Sequence, residues 1–279
     1  MLPRSFLYVP ASRPDLFAKA AGGQADAMVL DLEDAVPAAE KGTARGAVTA
    51  WLEGPRPVGT QTWVRVDAIG LADDLDAVVR PGLDGLLLAK CSPASLGELA
   101  ETLARHEAAR GLGPVPVVGL VEDAGSLLAL PELAAHERLT TLGIGEVDLL
   151  GDLRIARKAG TANAITTLRL QVVLHCAAAG LPAPVAPTST DFRDLDAFRR
   201  TTRELVDLGF RSRTAIHPAQ VPVIHEVLTP GKDEVAAARD VLDRFVEAAG
   251  GVTLDAAGRL IDAAVIRAAQ ETLARHRSA

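Results

Sequence analysis

The stretch Ala27-Met-Val-Leu-Asp-Leu-Glu-Asp34 shows the pattern that decides the fold, a short apolar run that ends in a charged cluster. This pattern recurs along the chain, and most of the runs are separated by stretches with helical periodicity. The runs are residues 6–9, 27–30, 63–66, 86–88, 117–121, 142–147, 183–186 and 215–216, and the residues after them include Arg13, Asp31, Asp67, Lys90, Glu122, Asp148, Thr188 and His217. Such strand–helix units predict an α/β fold, the (β/α)8 TIM barrel.

The barrel prediction has a consequence for the charged residues. A TIM barrel builds its active site at the carboxyl ends of its strands, so the acids, Arg65 and Lys90 are expected to converge on one mouth. We assign residues 1–230 to the barrel. Residues 231–279 are read as a helical extension, a lid that caps the mouth or docks on a neighbouring subunit.

Composition narrows the class of protein. The chain has 279 residues, 48% of them hydrophobic, which suits one large core. A formal net charge of −7 and an aromatic content of 3% argue against nucleic-acid binding. No apolar run approaches the roughly 20 residues of a membrane span, and the two cysteines form no CxxC motif. We therefore expect a cytoplasmic protein with no nucleic-acid or membrane partner.

Two acids are the best metal ligands in the sequence. Glu122 and Asp148 are read as standing at the ends of neighbouring strands, with no His or Cys nearby. Carboxylates of this kind suit Mg²⁺, which takes one or two of them together with waters and substrate oxygens. Asp123 and Glu146 are close enough to be alternatives, since strand alternation would put Glu146 on the same face as Asp148. Ordinary solvated acids are the other interpretation.

Arg65 lies inside an apolar strand, where a guanidinium needs an anionic partner. That partner is either Glu33, from the acidic cluster after the second strand, or the carboxylate of a substrate, and one guanidinium can serve both. Lys90 likewise either forms a structural ion pair or binds a substrate group. His217 has the near-neutral pKa of a general base, although a lone His more often serves packing or hydrogen bonding.

Several segments, in order along the chain, resemble the citrate lyase β-subunit-like branch of the HpcH/HpaI aldolase superfamily. They are residues 4–10, 31–36 with Lys41 and Arg45, 64–66, Glu122, Asp148, 191–194, 209–221 and 258–262. The chain departs from the family pattern at Ala11, Asp67, Asp123 and Arg213, and the segment 88–90, which ends at Lys90, lacks the usual proline. These departures leave the acyl and oxo-acid specificity open.

The resemblance implies a Mg²⁺-dependent TIM barrel, a homotrimer or a multiple of it, that cleaves or forms a carbon–carbon bond between a 2-oxo acid and an acyl-CoA thioester. It makes Glu122 and Asp148 the metal ligands, Arg65 the group that binds the oxo-acid carboxylate, and Asp262 the proton carrier at the thioester α-carbon. It places the CoA end of the substrate near Tyr8, Lys19, Ile216 and His217, and it includes Glu33 among the catalytic residues.

Three other functions stay open. One is a citrate lyase β subunit that acts only on an acyl carrier protein, which the tail with Asp262 disfavours. Another is a pyruvate-type aldolase without CoA, disfavoured by the segments at residues 31–36 and 258–262. The third is a catalytically silent binding subunit, supported only by the altered residues Asp67, Asp123 and Arg213.

Overall fold

The computed structural model describes residues 2–248 and 253–277, apart from the side chain of Arg277. Within residues 2–224, eight parallel strands close into a barrel in the order of the sequence, with β1 paired to β8. The predicted TIM barrel is confirmed. The strands are β1 (Ser5–Pro10), β2 (Ala27–Asp31), β3 (Gln61–Val66), β4 (Gly85–Leu88), β5 (Val117–Val121), β6 (Thr141–Ile144), β7 (Val185–Ala186) and β8 (Ser212–Ala215).

Strand alternation sorts the barrel residues into two layers. Side chains that share a strand face pack on each other inside the barrel: Phe6, Ala27, Val29, Trp63, Leu87, Val118, Leu120 and Val185, with Tyr8 against them. The next inward positions after these are Asp31 on β2, Arg65 on β3 and Glu122 just after β5. Because inward-facing positions recur at every second residue, the apolar interior of the barrel is followed by a charged layer, Asp31, Arg65 and Glu122, at the carboxyl ends of the strands.

Trp63 fills much of the lower interior. Its ring meets the ring of Phe6 edge to face, with centroids 5.2 Å apart. Gly85 on the neighbouring strand makes room for it, because a Cβ there would stand 2.5 Å from two ring carbons of Trp63. A second cluster of apolar side chains packs the outer face of the barrel against the helices. The charged layer therefore lies directly above a packed apolar interior.

The helices follow the strands and cover the barrel. They are α1 (Phe17–Ala21), α2 (Lys41–Glu53), α3 (Leu71–Val78), α4 (Pro93–Arg110), α5 (Ala124–Leu128), α6 (Leu130–Ala135), α7 (Glu146–Asp152), α8 (Ala162–Ala178), α9 (Leu195–Asp207), α10 (Gln220–Leu228), α11 (Lys232–Glu247) and α12 (Ala263–Arg277). No helix among the described residues is both long and apolar enough to cross a bilayer.

Cys91 and Cys176 are buried free thiols.

One strand ends earlier than the sequence indicated. The apolar run at residues 142–147 predicts a single strand, but β6 ends at Ile144 and α7 begins at Glu146. Glu146 and Asp148 therefore lie on a helix, and the interpretation that they share a strand face is wrong. Residues two apart on a helix point in very different directions, so the two acids are not interchangeable.

The chain divides into two compact units, Leu2–Ile224 and His225–Ala279. In the second unit, α11 packs against α12, and a two-stranded hairpin of β9 (Thr253–Leu254) and β10 (Leu260–Ile261) lies between them in sequence. The sequence pattern predicts that the helix before this hairpin ends at residues 249–251, which lie outside the described residues.

Candidate active site

The charged layer is held together by Arg65. Its Nε and Nη2 donate to the two carboxylate oxygens of Asp31 at 2.7 and 2.6 Å, and its Nη1 lies 2.9 Å from Glu33 Oε2. Asp31 pairs with Arg65 in the strand register, so the contact follows directly from the neighbouring strands. The sequence predicts Glu33 as the structural partner of Arg65. The structure shows that both acids contact the Arg65 guanidinium, and that Asp31 is the one bound through two parallel N–H groups.

Glu33 bridges two cations. Its side chain is only 1% exposed, and its Oε1 accepts a hydrogen bond from Lys90 Nζ at 2.5 Å while Oε2 faces Arg65. A buried carboxylate of this kind is retained in a folded protein when its charge is paired. Glu33 thus fixes Arg65 and Lys90 relative to each other.

The Asp67 carboxylate adds no free charge to this layer. It stands 3.1 Å from Lys41 Nζ, which also donates to the backbone carbonyls of Leu32 and Glu33. The negative charge that Asp67 brings is therefore offset locally.

Glu122 is held in place from two sides. Lys90, which has a left-handed backbone with φ of 46°, donates its N–H to Glu122 Oε2 at 2.6 Å. Gly145 lies against the other side, because a Cβ there would stand 2.5 Å from Glu122 Cγ, 2.8 Å from Cδ and closer still to Oε1. Burial raises the pKa of Glu122 to about 7, although the Lys90 N–H and the charge of Arg65 lower it.

Asp148 lies in the first turn of α7 and is exposed. Partial loss of water contact beside its neighbours and repulsion from Asp34 and Glu33 raise the pKa of its carboxyl group. Glu146, the alternative ligand, is engaged elsewhere, because it accepts hydrogen bonds from Arg169 at 2.5 and 2.8 Å and pairs with Arg157 at 2.6 Å. Asp123 is the N-cap of α5, where its side chain accepts from the N–H of Ser126.

Arg65, Glu122, Glu146 and Asp148 line one opening. Its described lining residues are Tyr8, Arg65, Leu120, Glu122, Ile144, Gly145, Glu146, Val147, Asp148, Val185, Ala186, Thr188 and Thr214. The Arg65 guanidinium carbon lies 4.9 Å from the centre of the Tyr8 ring. The fold therefore brings together both predicted metal ligands, the predicted carboxylate-binding arginine and Tyr8.

The donor set fits a hard divalent cation. No cluster of three or more His, Cys, Asp or Glu ligands is present in residues 2–248 and 253–277, so Glu122 and Asp148 are the pair to test. Two carboxylates are what Mg²⁺ takes from a protein when waters and substrate oxygens complete its octahedron. Both have raised pKa values in part because neighbouring acids repel them, and a cation between them would relieve that repulsion.

The remaining predicted site residues have other surroundings. Lys19 lies on α1 and is exposed. Ile216 and His217 follow β8, and both of their N–H groups donate to Gln220 Oε1. The His217 ring stacks on Phe192 with centroids 4.8 Å apart.

Asp262 belongs to the second unit of the chain. Its Oδ1 accepts hydrogen bonds from the N–H groups of Ala264 and Val265 at 2.8 and 2.9 Å. The side chain therefore caps the start of α12.

Gly145 and Thr188 line the opening, but the sequence gives no functional signal for either residue. Gly145 carries no functional group, and its role, which is to leave room for the Glu122 side chain, is visible only in the structure. The Thr188 Oγ1 is buried with no hydrogen-bond partner in the described part of the chain, and a lone Thr gave no signal beyond ending the seventh apolar run.

Comparison with known proteins agrees with the fold. A model of the HpcH/HpaI aldolase/citrate lyase family matches residues 4–218, the whole barrel from β1 to the end of β8. The chain belongs to this family. The expectation of a lyase is thereby confirmed at the level of the family, which is one of aldolases and citrate lyases.

Family members of known name cover nearly the whole chain. A (3S)-malyl-CoA thioesterase of Cereibacter sphaeroides (strain KD131 / KCTC 12085) is 33% identical, over 98% of this chain and 94% of its own length. A citrate lyase subunit beta-like protein of Mycobacterium tuberculosis is 31% identical, over 97% and 94%. The crystal structure of CitE from M. tuberculosis in complex with magnesium, acetoacetate and coenzyme A covers 98% of both chains, with 30% identity and a TM-score of 0.80.

Proposed function

We propose that this HpcH/HpaI family member is a Mg²⁺-dependent carbon–carbon lyase. Its substrate would be a CoA thioester with a hydroxyl on the carbon β to the thioester carbonyl, of the malyl-, citramalyl- or citryl-CoA type. Cleavage would release an acyl-CoA and a 2-oxo acid, and the reverse reaction would join them. The observation that carries the proposal is that Arg65, Glu122 and Asp148 line one opening.

Glu122 and Asp148 are the residues that would hold Mg²⁺. When bound, the ion would stabilise negative charge that develops on the oxygen of the oxo-acid half. Gly145 and the N–H of Lys90 fix Glu122 for this role. The CitE structure with magnesium supports the choice of metal, since it shares the fold over 98% of the chain.

Arg65 would bind and orient the oxo-acid carboxylate. A guanidinium has five N–H donors, of which two donate to Asp31, while Nη1 lies 2.9 Å from Glu33 Oε2, an oxygen with no hydrogen-bond partner among the described residues. The donors that remain suffice for one carboxylate. Because Asp31 and Glu33 fix the plane of the guanidinium, little orientation would be lost when the substrate binds.

The bond changes balance within the substrate. The hydroxyl gives up its proton to water, and the oxygen electron pair then forms the carbonyl of the 2-oxo acid. The bonding pair of the broken carbon–carbon bond passes to the α-carbon of the thioester as an enolate, and that carbon then takes up a proton. We propose Asp262 as the group that supplies this proton, acting from its own subunit or from a neighbour in a homotrimer.

The CoA end of the substrate is proposed to lie near Tyr8, Lys19, Ile216 and His217. Lys19 is an exposed cation that suits a phosphate. Ile216 and His217 come directly after β8, the strand that pairs with β1. Assembly into a homotrimer and a cytoplasmic location stay predictions.

Thioester hydrolysis is the second candidate, favoured by the match to a (3S)-malyl-CoA thioesterase. Product analysis separates the two. With Mg²⁺ and malyl-CoA, a lyase yields acetyl-CoA and glyoxylate in equal amounts, while a thioesterase yields free CoA and malate. We expect the lyase products. Free CoA as the first thiol product would contradict the proposal, and an acyl-carrier-protein thioester turned over in place of CoA esters would indicate a citrate lyase β subunit.

A further inference from the structure

The opening has one side that carries no charge. The ends of β6, β7 and β8 contribute Ile144, Val185, Ala186, Thr188 and Thr214 to it. The acids and Arg65 come instead from β3, β5 and the start of α7. This uneven distribution bears on the open question of which 2-oxo acid the site takes.

Positive charge in the opening is scarce. Among the described lining residues, all within residues 2–224, Arg65 is the one cation, and Asp31 and Glu33 already engage it. The nearby cations are also paired, Lys90 with Glu33 and Asp34, and Arg157 and Arg169 with Glu146. One substrate carboxylate can use the N–H donors that Arg65 has left, but a second carboxylate would meet uncharged side chains, acids or cations that are already paired.

We infer that the 2-oxo acid of this site carries a single carboxylate, with hydrogen or a small apolar group where oxaloacetate carries its second one. The inference rests on the proposed lyase function and specifies the substrate class of that site. Its physical ground is that an ionised carboxylate brought out of water needs a cation or several hydrogen-bond donors, whereas a methyl group suits Ile144, Val185 and Ala186.

Thr188 is the residue we assign to recognition of this half of the substrate. Its Oγ1 is buried and has no hydrogen-bond partner in the described residues, while the other lining threonine, Thr214, donates to the carbonyl of Ala186 at 3.2 Å. A buried hydroxyl without a partner is costly, and it gains a hydrogen bond when a ligand oxygen arrives. Thr188 would supply that hydrogen bond to the hydroxyl or carboxylate of the substrate.

Three thioesters that share an acetyl half test the inference. Malyl-, citramalyl- and citryl-CoA all release acetyl-CoA and differ only in the partner released: glyoxylate, pyruvate or oxaloacetate. We expect kcat/KM for malyl- or citramalyl-CoA to exceed that for citryl-CoA by at least about 100-fold, since the disfavoured ester buries an unpaired charge. A kcat/KM for citryl-CoA that equals or exceeds the other two overturns the inference and leaves the lyase proposal intact. No cleavage of any of the three would overturn both.

The part of Thr188 is tested by T188V, which keeps the shape and removes the hydroxyl. We expect kcat/KM for the preferred ester to fall about 10-fold, chiefly through KM, with Mg²⁺ affinity unchanged. T188S should restore most of the loss. T190V, at an exposed neighbouring threonine, is the matched control. Unchanged kcat/KM in T188V, or a loss that T188S fails to restore, would contradict the assignment.

Discussion

The orientation of the Arg65 guanidinium is fixed by its neighbours. Both oxygens of Asp31 and one of Glu33 hold its guanidinium, and the Tyr8 ring packs on it. A lysine carries the same charge but cannot bridge a carboxylate with two parallel N–H groups. Positive charge alone therefore does not define this position.

We expect R65K to lower kcat/KM on the order of 100-fold, because the substrate carboxylate loses its fixed donors. The measurement is steady-state cleavage of the preferred thioester. R80K is the matched control, since Arg80 pairs with Glu53 on the helical layer and away from the opening. Near-normal turnover in R65K would reduce Arg65 to a generic counter-charge.

Glu122 makes the stability of the metal-free protein depend on pH. Its pKa rises from 4.5 to about 7 on folding, so the folded state binds more protons than the unfolded state between these values. The contribution is fully present below pH about 4.5 and is lost as pH rises through about 7. We expect the free energy of unfolding to fall by on the order of 3 kcal/mol from this group over that interval.

Urea unfolding of the metal-free wild type and of E122Q measures this contribution. The amide stays neutral at every pH, so the difference between the two proteins isolates Glu122 from other titrating groups. E122Q should gain stability over the wild type as pH rises. A constant difference across the interval would show that Glu122 has an ordinary pKa in the folded protein.

The turn from β6 into α7 is in contact with one proposed metal ligand, Glu122, and leads into the other, Asp148. Gly145 separates the strand from the helix, leaves room for the Glu122 carboxylate and precedes the first turn that carries Asp148. A side chain at residue 145 would force Glu122 to move, since its Cγ and Cδ are too close for the Glu122 tip alone to turn away.

We expect G145A to weaken Mg²⁺ binding roughly 10- to 100-fold, the range seen for residues that orient a metal ligand. Calorimetric titration of Mg²⁺ measures it. G151A is the matched control, because Gly151 lies within α7 with open space around it and alanine there favours the helix. Equal affinity in G145A and the wild type would show that Glu122 is free to adapt.

Sequence patterns predict elements with periodic apolar residues better than they predict the turns between them. The sequence predicts a helix over residues 93–110 that is closed by Gly111, and α4 has these bounds, because Ser92 caps its start and Gly111 follows its end. The pairing of Asp31 with Arg65 was accessible in outline, since both end neighbouring strands. The early end of β6 was not, because Val147 extends the apolar run although Glu146 already begins a helix.

At the scale of the whole molecule, the two units contribute different predicted groups. The barrel unit holds Arg65, Glu122 and Asp148, and the second unit, His225–Ala279, holds Asp262. The role of Asp262 came from the resemblance of residues 258–262, and within its own unit the side chain caps α12. The sequence of either unit alone therefore does not predict all four residues of the proposed site.

We expect D262N to keep the fold and Mg²⁺ affinity and to lose roughly 100- to 10,000-fold in kcat, the range for a lost general acid or base. Asparagine still caps a helix, so α12 should remain intact. Steady-state turnover and circular dichroism check both points. D194N is the matched control, since Asp194 is likewise an N-cap, on α9. Unchanged turnover in D262N would remove Asp262 from the mechanism.

Mixed oligomers test whether Asp262 acts on a neighbouring subunit. D262N and E122A chains are each expected to be inactive, but a mixed oligomer would combine an intact barrel with an intact tail at some of its sites. Partial recovery of activity would place Asp262 across a subunit boundary. No recovery in verified mixed oligomers would indicate that it acts within its own chain.

The most direct test of the whole proposal is Mg²⁺ titration combined with lyase turnover in the wild type and in D148N. We predict that D148N keeps the barrel fold, binds Mg²⁺ at least about 10-fold more weakly and loses Mg²⁺-dependent release of acyl-CoA and 2-oxo acid. Full Mg²⁺-stimulated turnover in D148N would contradict the assignment of Glu122 and Asp148 as the metal pair.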